Sequence, residues 1–118
     1  MNGRGWIYKI VSAGAWREAL EAGVFNGAEV DLADGYIHFS TAAQLRDTAA
    51  KHFRGRQGLV LVVVDSARLG DALKWEPSRG GDLFPHLYVA LDTAIVESVR
   101  DLALDPDGVA ILPEADQR

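Results

Sequence analysis

Three short segments carry the side chains that can move protons or hold phosphates and sugars. The first is Asp34-Gly35-Tyr36-Ile37-His38-Phe39-Ser40-Thr41. Strand side chains alternate with period two, so Tyr36, His38 and Ser40 share one face and Ile37 and Phe39 the other. A phenol, an imidazole and a hydroxyl thus form one polar strip. A helix start follows at Thr41, where unpaired N–H groups and positive potential suit an anionic group. The second segment is Trp75-Glu76-Pro77-Ser78-Arg79-Gly80-Gly81. Here Glu76 is a carboxylate at a strand end, and the planar fork of Arg79 suits a phosphate or carboxylate. The third is Leu83-Phe84-Pro85-His86-Leu87-Tyr88, where His86 and Tyr88 share a face if a strand begins at Pro85. The functional question is whether His38 and His86 look into one cleft.

Each residue also has a plainer role. His38 on a single strand can be a half-buried ring satisfied by a carbonyl. Ser40 and Thr41 suit helix capping better than nucleophilic attack, and the chain has no Gly-x-Ser-x-Gly elbow. Glu76 and Arg79 can form a surface pair worth little. Phe84, Leu87 and Tyr88 can be core, with His86 merely polar. His38, His86 and Glu76 would make a legitimate zinc or iron set, but no H-x-H or H-E-x-x-H spacing supports it, and no metal is assigned. His52, near the end of a helix, is explained by the charge preference of helix C-termini and is left outside the site.

The elements that must position these groups follow from hydrophobic patterning. Trp6 to Val11 reads as a first strand. Ser12 is a plausible N-cap for a helix with Trp16, Ala19 and Leu20 on one side and Gly23 as its stop. Residues 24–34 are mixed, with Asn26-Gly27 a turn signal. The strand Tyr36 to Phe39 comes next, then a second helix with capping-box spacing at Thr41 and Gln44. Its apolar stripe is Ala42, Leu45, Ala49 and Phe53, and Gly55 closes it. Leu59 to Val64 is unbroken by polar residues and reads as a central strand covered on both faces. Ala72 to Trp75, Leu87 to Leu91, Ile95 to Leu102 and Val109 to Leu112 are further strand candidates. The fold class is α+β, with two helices on two small, mostly antiparallel sheets. We expect one domain over residues 1–118, with a core at about 6–104 and a tail at 105–118.

Composition narrows the function. A chain of 118 residues, 48% hydrophobic and 25% charged, is a globular protein rather than a disordered one. The absence of cysteine removes disulfides, thiolate metal sites and a cysteine nucleophile, and favours a cytoplasmic location. No apolar run is long enough to span a bilayer, and the first residues do not resemble a signal peptide. A formal net charge of −5 disfavours nucleic acid as a partner. Arg46, Lys51, Arg54 and Arg56 form a local basic patch that reads as a solvated helix face.

The ordered succession Ile7-Tyr8-Lys9-Ile10, Gly35 to Thr41, Leu61 to Asp65, Trp75 to Gly81 and Leu83 to Tyr88 closely resembles the uncharacterised bacterial family numbered 952 among the domains of unknown function. The resemblance covers residues 6 to about 100. That family's fold is similar to the ADP-ribosyltransferases, and in particular to the RNA 2′-phosphotransferases. Tyr36-Ile37-His38-Phe39-Ser40 looks like the second half of their Arg-x-His-Val-His-Leu-Ser segment, and Phe84 to Tyr88 resembles a later strand. The resemblance implies a split pair of small sheets, an NAD-sized cleft and NAD as the cofactor. By the same token His38 would hydrogen-bond the ribose, with Tyr36 or Tyr88 on the nicotinamide, Arg79 on a phosphate and Glu76 facing the positive sugar. Ser40 and Thr41 would line the nucleotide site, and the acceptor would be a small molecule or a protein. The arginine expected before the first histidine of that segment and its N-terminal His-Gly-x motif have no counterpart here. A pocket that binds a nucleotide or anion without catalysis, and a metal-dependent hydrolase, are the alternatives.

Overall fold

The computed structural model describes residues 5–112, with the side chain of Arg79 outside the description. The chain opens with β1 (Trp6–Ser12), α1 (Ala13–Ala22), the two-residue β2 (Val24–Phe25), α2 (Glu29–Asp34) and β3 (Ile37–His38). It continues through α3 (Ala42–His52), β4 (Leu59–Asp65), β5 (Leu73–Pro77), β6 (Leu83–Leu87), β7 (Leu91–Asp92) and β8 (Ser98–Leu102), with short 3-10 turns between strands. All named strand pairs are antiparallel. The strands form three sheets, ordered β1-β4-β8, β2-β7 and β3-β6-β5. The α+β class holds, but the described residues contain three sheets and three α-helices rather than two of each.

The unbroken apolar run of β4 is explained by its place. It lies between β1 and β8, and all six residues from Leu59 to Val64 are buried. Because alternate side chains face opposite ways, Val60, Val62 and Val64 enter one core with Trp16, Phe25, Ile37, Phe39 and Leu87. Leu59, Leu61 and Val63 enter a second core with Leu45, Ala49 and Val109. The first core fills the space reached by the β3-β6-β5 sheet and α1, and the second lies beneath α3.

Local signals set the helix ends. Ser12 accepts a hydrogen bond from the Ala15 N–H, and Gly23 closes α1 in the left-handed region with φ +84°. Trp16 and Ala19 are buried as expected, whereas Leu20 is exposed. At α3 the Thr41 hydroxyl accepts from the Gln44 N–H, and the Gln44 side chain accepts from the Thr41 N–H. Leu45 and Ala49 make the buried stripe, while Ala42 faces out.

The largest departure from the sequence reading is α2, within residues 24–34. It has no side-chain N-cap, and its apolar residues Val30 and Leu32 are exposed. Its one buried side chain is Asp31. The later strands also shift: β6 is Leu83–Leu87 rather than Leu87 to Leu91, and the expected strand from Ile95 divides into a turn and β8. In place of an edge strand at Val109 to Leu112 there is a single bridge between Leu104 and Ala110. Residues 113–118 of the expected tail lie outside the described residues.

Pro85 sits inside β6, the middle strand of its sheet. A proline there is tolerated only where no ladder partner needs its missing N–H. The Pro85 carbonyl accepts from Phe39 N at 3.0 Å, just past the two-residue β3, so the missing donor falls where the β3 ladder has ended. The same short β3 brings His38 directly opposite His86.

Candidate functional site

The two imidazoles converge. Their ring centroids are 5.5 Å apart in an edge-on arrangement. Tyr36 packs against both, stacked on His86 at 4.2 Å and tilted against His38 at 4.6 Å, and Tyr88 adds a fourth ring 5.1 Å from Tyr36. Each imidazole is tied through Nδ1 to a carboxylate. His38 Nδ1 lies 2.6 Å from Asp31 Oδ1, and His86 Nδ1 lies 2.7 Å from Glu76 Oε1. A carboxylate that is ionised only accepts, so each Nδ1 carries the proton and each Nε2 is the chemically variable position.

Asp31 is 1% exposed and is the hub of the first pair. It accepts from the backbone N–H groups of Ala28 and His38 at 2.8 and 3.1 Å. Lys9 Nζ lies 3.0 and 3.2 Å from its two oxygens, and also donates to the His38 carbonyl at 2.9 Å. Three acceptors around one nitrogen use all three protons of an ammonium, so Lys9 is charged. Burial pushes the Asp31 carboxyl up, but the His38 hydrogen bond, the Lys9 charge and the two N–H donors outweigh it and hold it at about 2. Burial acts on Lys9 in the opposite sense and lowers its pKa despite the Asp31 charge.

Glu76 is half exposed and accepts from both His86 and the Tyr88 hydroxyl, the latter at 2.8 Å. These two bonds, His86 first, hold its carboxyl below the usual range. The same bond to Glu76 raises Tyr88, and burial, with the Asp34, Glu76 and Asp31 charges, raises Tyr36. Both phenols are therefore neutral donors at ordinary pH. Asp34 places Oδ2 3.0 Å from His38 Nε2. It is 47% exposed, so a ligand that meets Nε2 has to turn it aside.

Beside this cluster lies a cleft of about 480 Å³ between α3 and strands β3 and β6. It is lined by His38, Ser40 and His86, by Lys9, by the apolar Ile10, Leu45, Phe53 and Phe84, and by Thr48, His52 and Arg56. Its size is that of small-molecule sites. Tyr36, Glu76 and Tyr88 adjoin the imidazoles but do not line the cleft. Ser40 reaches the wall with its hydroxyl 3.0 Å from that of Thr48. Thr41 does not reach it, because its hydroxyl caps α3 and its side chain borders a separate shallow hollow with Gln44. His52 and Arg56 do line the cleft, so the end-of-helix and solvated-face readings of these two are incomplete. Among the described residues no three His, Asp or Glu side chains converge on a metal-sized point, so the geometry gives the His38, His86 and Glu76 metal set no support.

Sequence reasoning missed Asp31, Lys9, Asp34, His52 and Arg56. One local signal existed: Gly27 precedes Asp31 in a conformation with φ +122°, and a Cβ there would lie 2.7 Å from the Asp31 Cβ. Gly27→Ala is expected to destabilise the fold by roughly 1–3 kcal/mol, from backbone strain and displacement of α2. Urea denaturation followed by circular dichroism checks this, and an unchanged midpoint would show that the turn before α2 relaxes freely.

The family model described as "Protein of unknown function (DUF952)" matches residues 10–99. No curated protein matches the chain. The chain is similar to the crystal structure of protein CC0527 from Caulobacter crescentus, with 52% identity, a TM-score of 0.88, and coverage of 90% of this chain and 93% of that one. It is also similar to the solution NMR structure of CC0527, with 53% identity, a TM-score of 0.81, and coverage of 88% and 90%. Among the described residues no helix is long and apolar enough to cross a membrane.

Proposed function

We infer a function for this chain from the premise that it belongs to the DUF952 family, whose model spans residues 10–99. The chain binds a nucleotide, with NAD as the leading ligand, and acts on it in the manner of an ADP-ribosyltransferase. The observation that carries this reading is the pair of carboxylate-held imidazoles, His38 and His86, facing each other across β3 and β6 at the wall of a small-molecule cleft. The similarity of the sequence motifs to the ADP-ribosyltransferases and RNA 2′-phosphotransferases supports it, as does the split between the β1-β4-β8 and β3-β6-β5 sheets.

In this reading the bond between the ribose C1′ and the nicotinamide nitrogen breaks, and its electron pair leaves with nicotinamide. Glu76 does not line the cleft and acts on the resulting positive sugar through the His86 imidazole that it holds, an electrostatic role for which its lowered pKa suits it. A hydroxyl of the acceptor, or a water, attacks C1′ and gives up its proton to His38 Nε2, which is open to receive it once Asp34 has turned aside. The nicotinamide extends beyond the cleft to stack on Tyr36 or Tyr88, neither of which lines it. The phosphate contact that the resemblance gives to Arg79 falls on a side chain outside the described residues. The acceptor is a small molecule or a protein, in keeping with the acidic surface.

Calorimetry with NAD tests the ligand. The parent is expected to bind at millimolar concentration or better, and His38→Ala to bind at least tenfold more weakly. No heat from the parent removes NAD as the ligand. One observation favours the non-catalytic alternative: Asp34 covers His38 Nε2 and Tyr36 covers the face of His86. Binding without release of free nicotinamide over hours selects that alternative.

A further inference from the structure

The cleft has a charge asymmetry that the imidazole pair does not explain. The chain is acidic overall, yet no Asp or Glu is among the described residues lining the cleft. All three histidines of the chain line it, together with Lys9 and Arg56. Lys9 is neutralised by Asp31, and His38 stands between Asp31 and Asp34. The positive character that remains belongs to the other end, at His52 and Arg56.

That end is held in place. His52 is the last residue of α3, and the Arg56 N–H donates to the Phe53 carbonyl at 3.0 Å in the turn that follows. The Arg56 guanidinium lies 5.2 Å from the centre of the Phe53 ring, which orients it by cation–π attraction. Among the described residues neither His52 nor Arg56 has an ion-pair partner. The distance to the imidazole end follows from the elements. His38 is two strand residues from Ser40, Ser40 Oγ meets Thr48 Oγ1 at 3.0 Å, and His52 is one helical turn beyond Thr48. At the rises of a strand and a helix, the path along the wall between the two ends is on the order of 15 Å, which bounds the reach a ligand needs. The wall between is apolar, formed by Ile10, Leu45, Phe53 and Phe84.

We propose that His52 and Arg56 form a phosphate subsite, which receives the phosphate or diphosphate of a nucleotide whose reacting end lies at His38 and His86. It rests on the nucleotide reading above and assigns the orientation of the ligand. Arg56 supplies a planar two-point contact to phosphate oxygens, and His52 adds a second donor.

Titration calorimetry at low salt with ADP and with adenosine tests the subsite. ADP is expected to bind at least tenfold more tightly than adenosine, and Arg56→Gln to remove most of that difference. Arg100→Gln, on the exposed face of β8, is expected to leave it unchanged. Arg56 is at the surface, so its replacement does not threaten folding. If ADP binding falls in His38→Ala but not in Arg56→Gln, the subsite is wrong and the nucleotide reading stands. If the parent binds no nucleotide, that reading fails, and pyrophosphate followed by amide chemical shifts decides the subsite. Shifts centred on His52 and Arg56 that are lost in Arg56→Gln uphold it, and their absence overturns it.

Discussion

Asp31→Asn is expected to destabilise the protein by about 3–5 kcal/mol, the usual cost of leaving one partner of a buried ion pair uncompensated. The reason is local. Asp31 is 1% exposed, and among the described residues its carboxylate is the sole counter-charge to Lys9, itself 8% exposed. Asparagine offers one acceptor oxygen where two are used, and it turns an amide donor toward either the ammonium or a backbone N–H. For a domain of this size the change lowers the melting temperature by roughly 10–20 °C.

The acid limb of the stability curve carries the same signature. The folded Asp31 carboxyl lies at about 2, below its ordinary 3.8. A depressed folded value contributes stability that is complete above pH 4 and lost as pH falls through 2. The contribution is about 2 kcal/mol. Denaturation midpoints at neutral pH, pH 4 and pH 2 are expected to show this loss in the parent and not in Asp31→Asn. A variant as stable as the parent at neutral pH would mean that Lys9 sheds its proton or reaches water, and that the pair is not a structural keystone.

The second large effect concerns turnover. If the NAD-cleaving reading is right, His38→Gln is expected to slow nicotinamide release by about 10²- to 10⁴-fold, the range for loss of a positioned acid–base group. His86→Gln is expected to cost a similar factor, because Glu76 loses the donor that orients it. Groups that act as a unit are strongly non-additive, so the double variant should be little worse than either single one. Release is measured by chromatography, with circular dichroism confirming that the variants are folded. A His38→Gln protein with more than a third of the parent rate would remove this imidazole from the chemistry.

Features that depend on near neighbours were legible in the sequence. The caps at Ser12 and Thr41 involve contacts three residues away, and the unbroken run of β4 declares burial on both sides by itself. His38 and His86 were recognisable because each sits in an alternating apolar segment with aromatic neighbours. What stayed hidden was long-range or inverted. Lys9 and Asp31 are 22 residues apart, and neither belongs to a motif. Helix α2 exposes Val30 and Leu32 and buries Asp31, the reverse of the pattern by which amphipathic helices are found. It is built around one carboxylate rather than an apolar stripe. His52 and Arg56 look like an ordinary helix end until α3 is laid along the cleft.

Among the described residues, the only backbone seam between the β1 and β3 segments is the reciprocal pair of 2.8 Å bonds joining Tyr8 and Ser40. Prying the halves apart must break both at once and also pull Lys9 away from the His38 carbonyl. Any guest is therefore expected to enter by side-chain rearrangement, with Asp34 and Tyr36 swinging, while the scaffold stays shut. The deuterium uptake of two amides, Tyr8 and Ser40, reports on this directly: it should be as slow in the empty protein as in the occupied one.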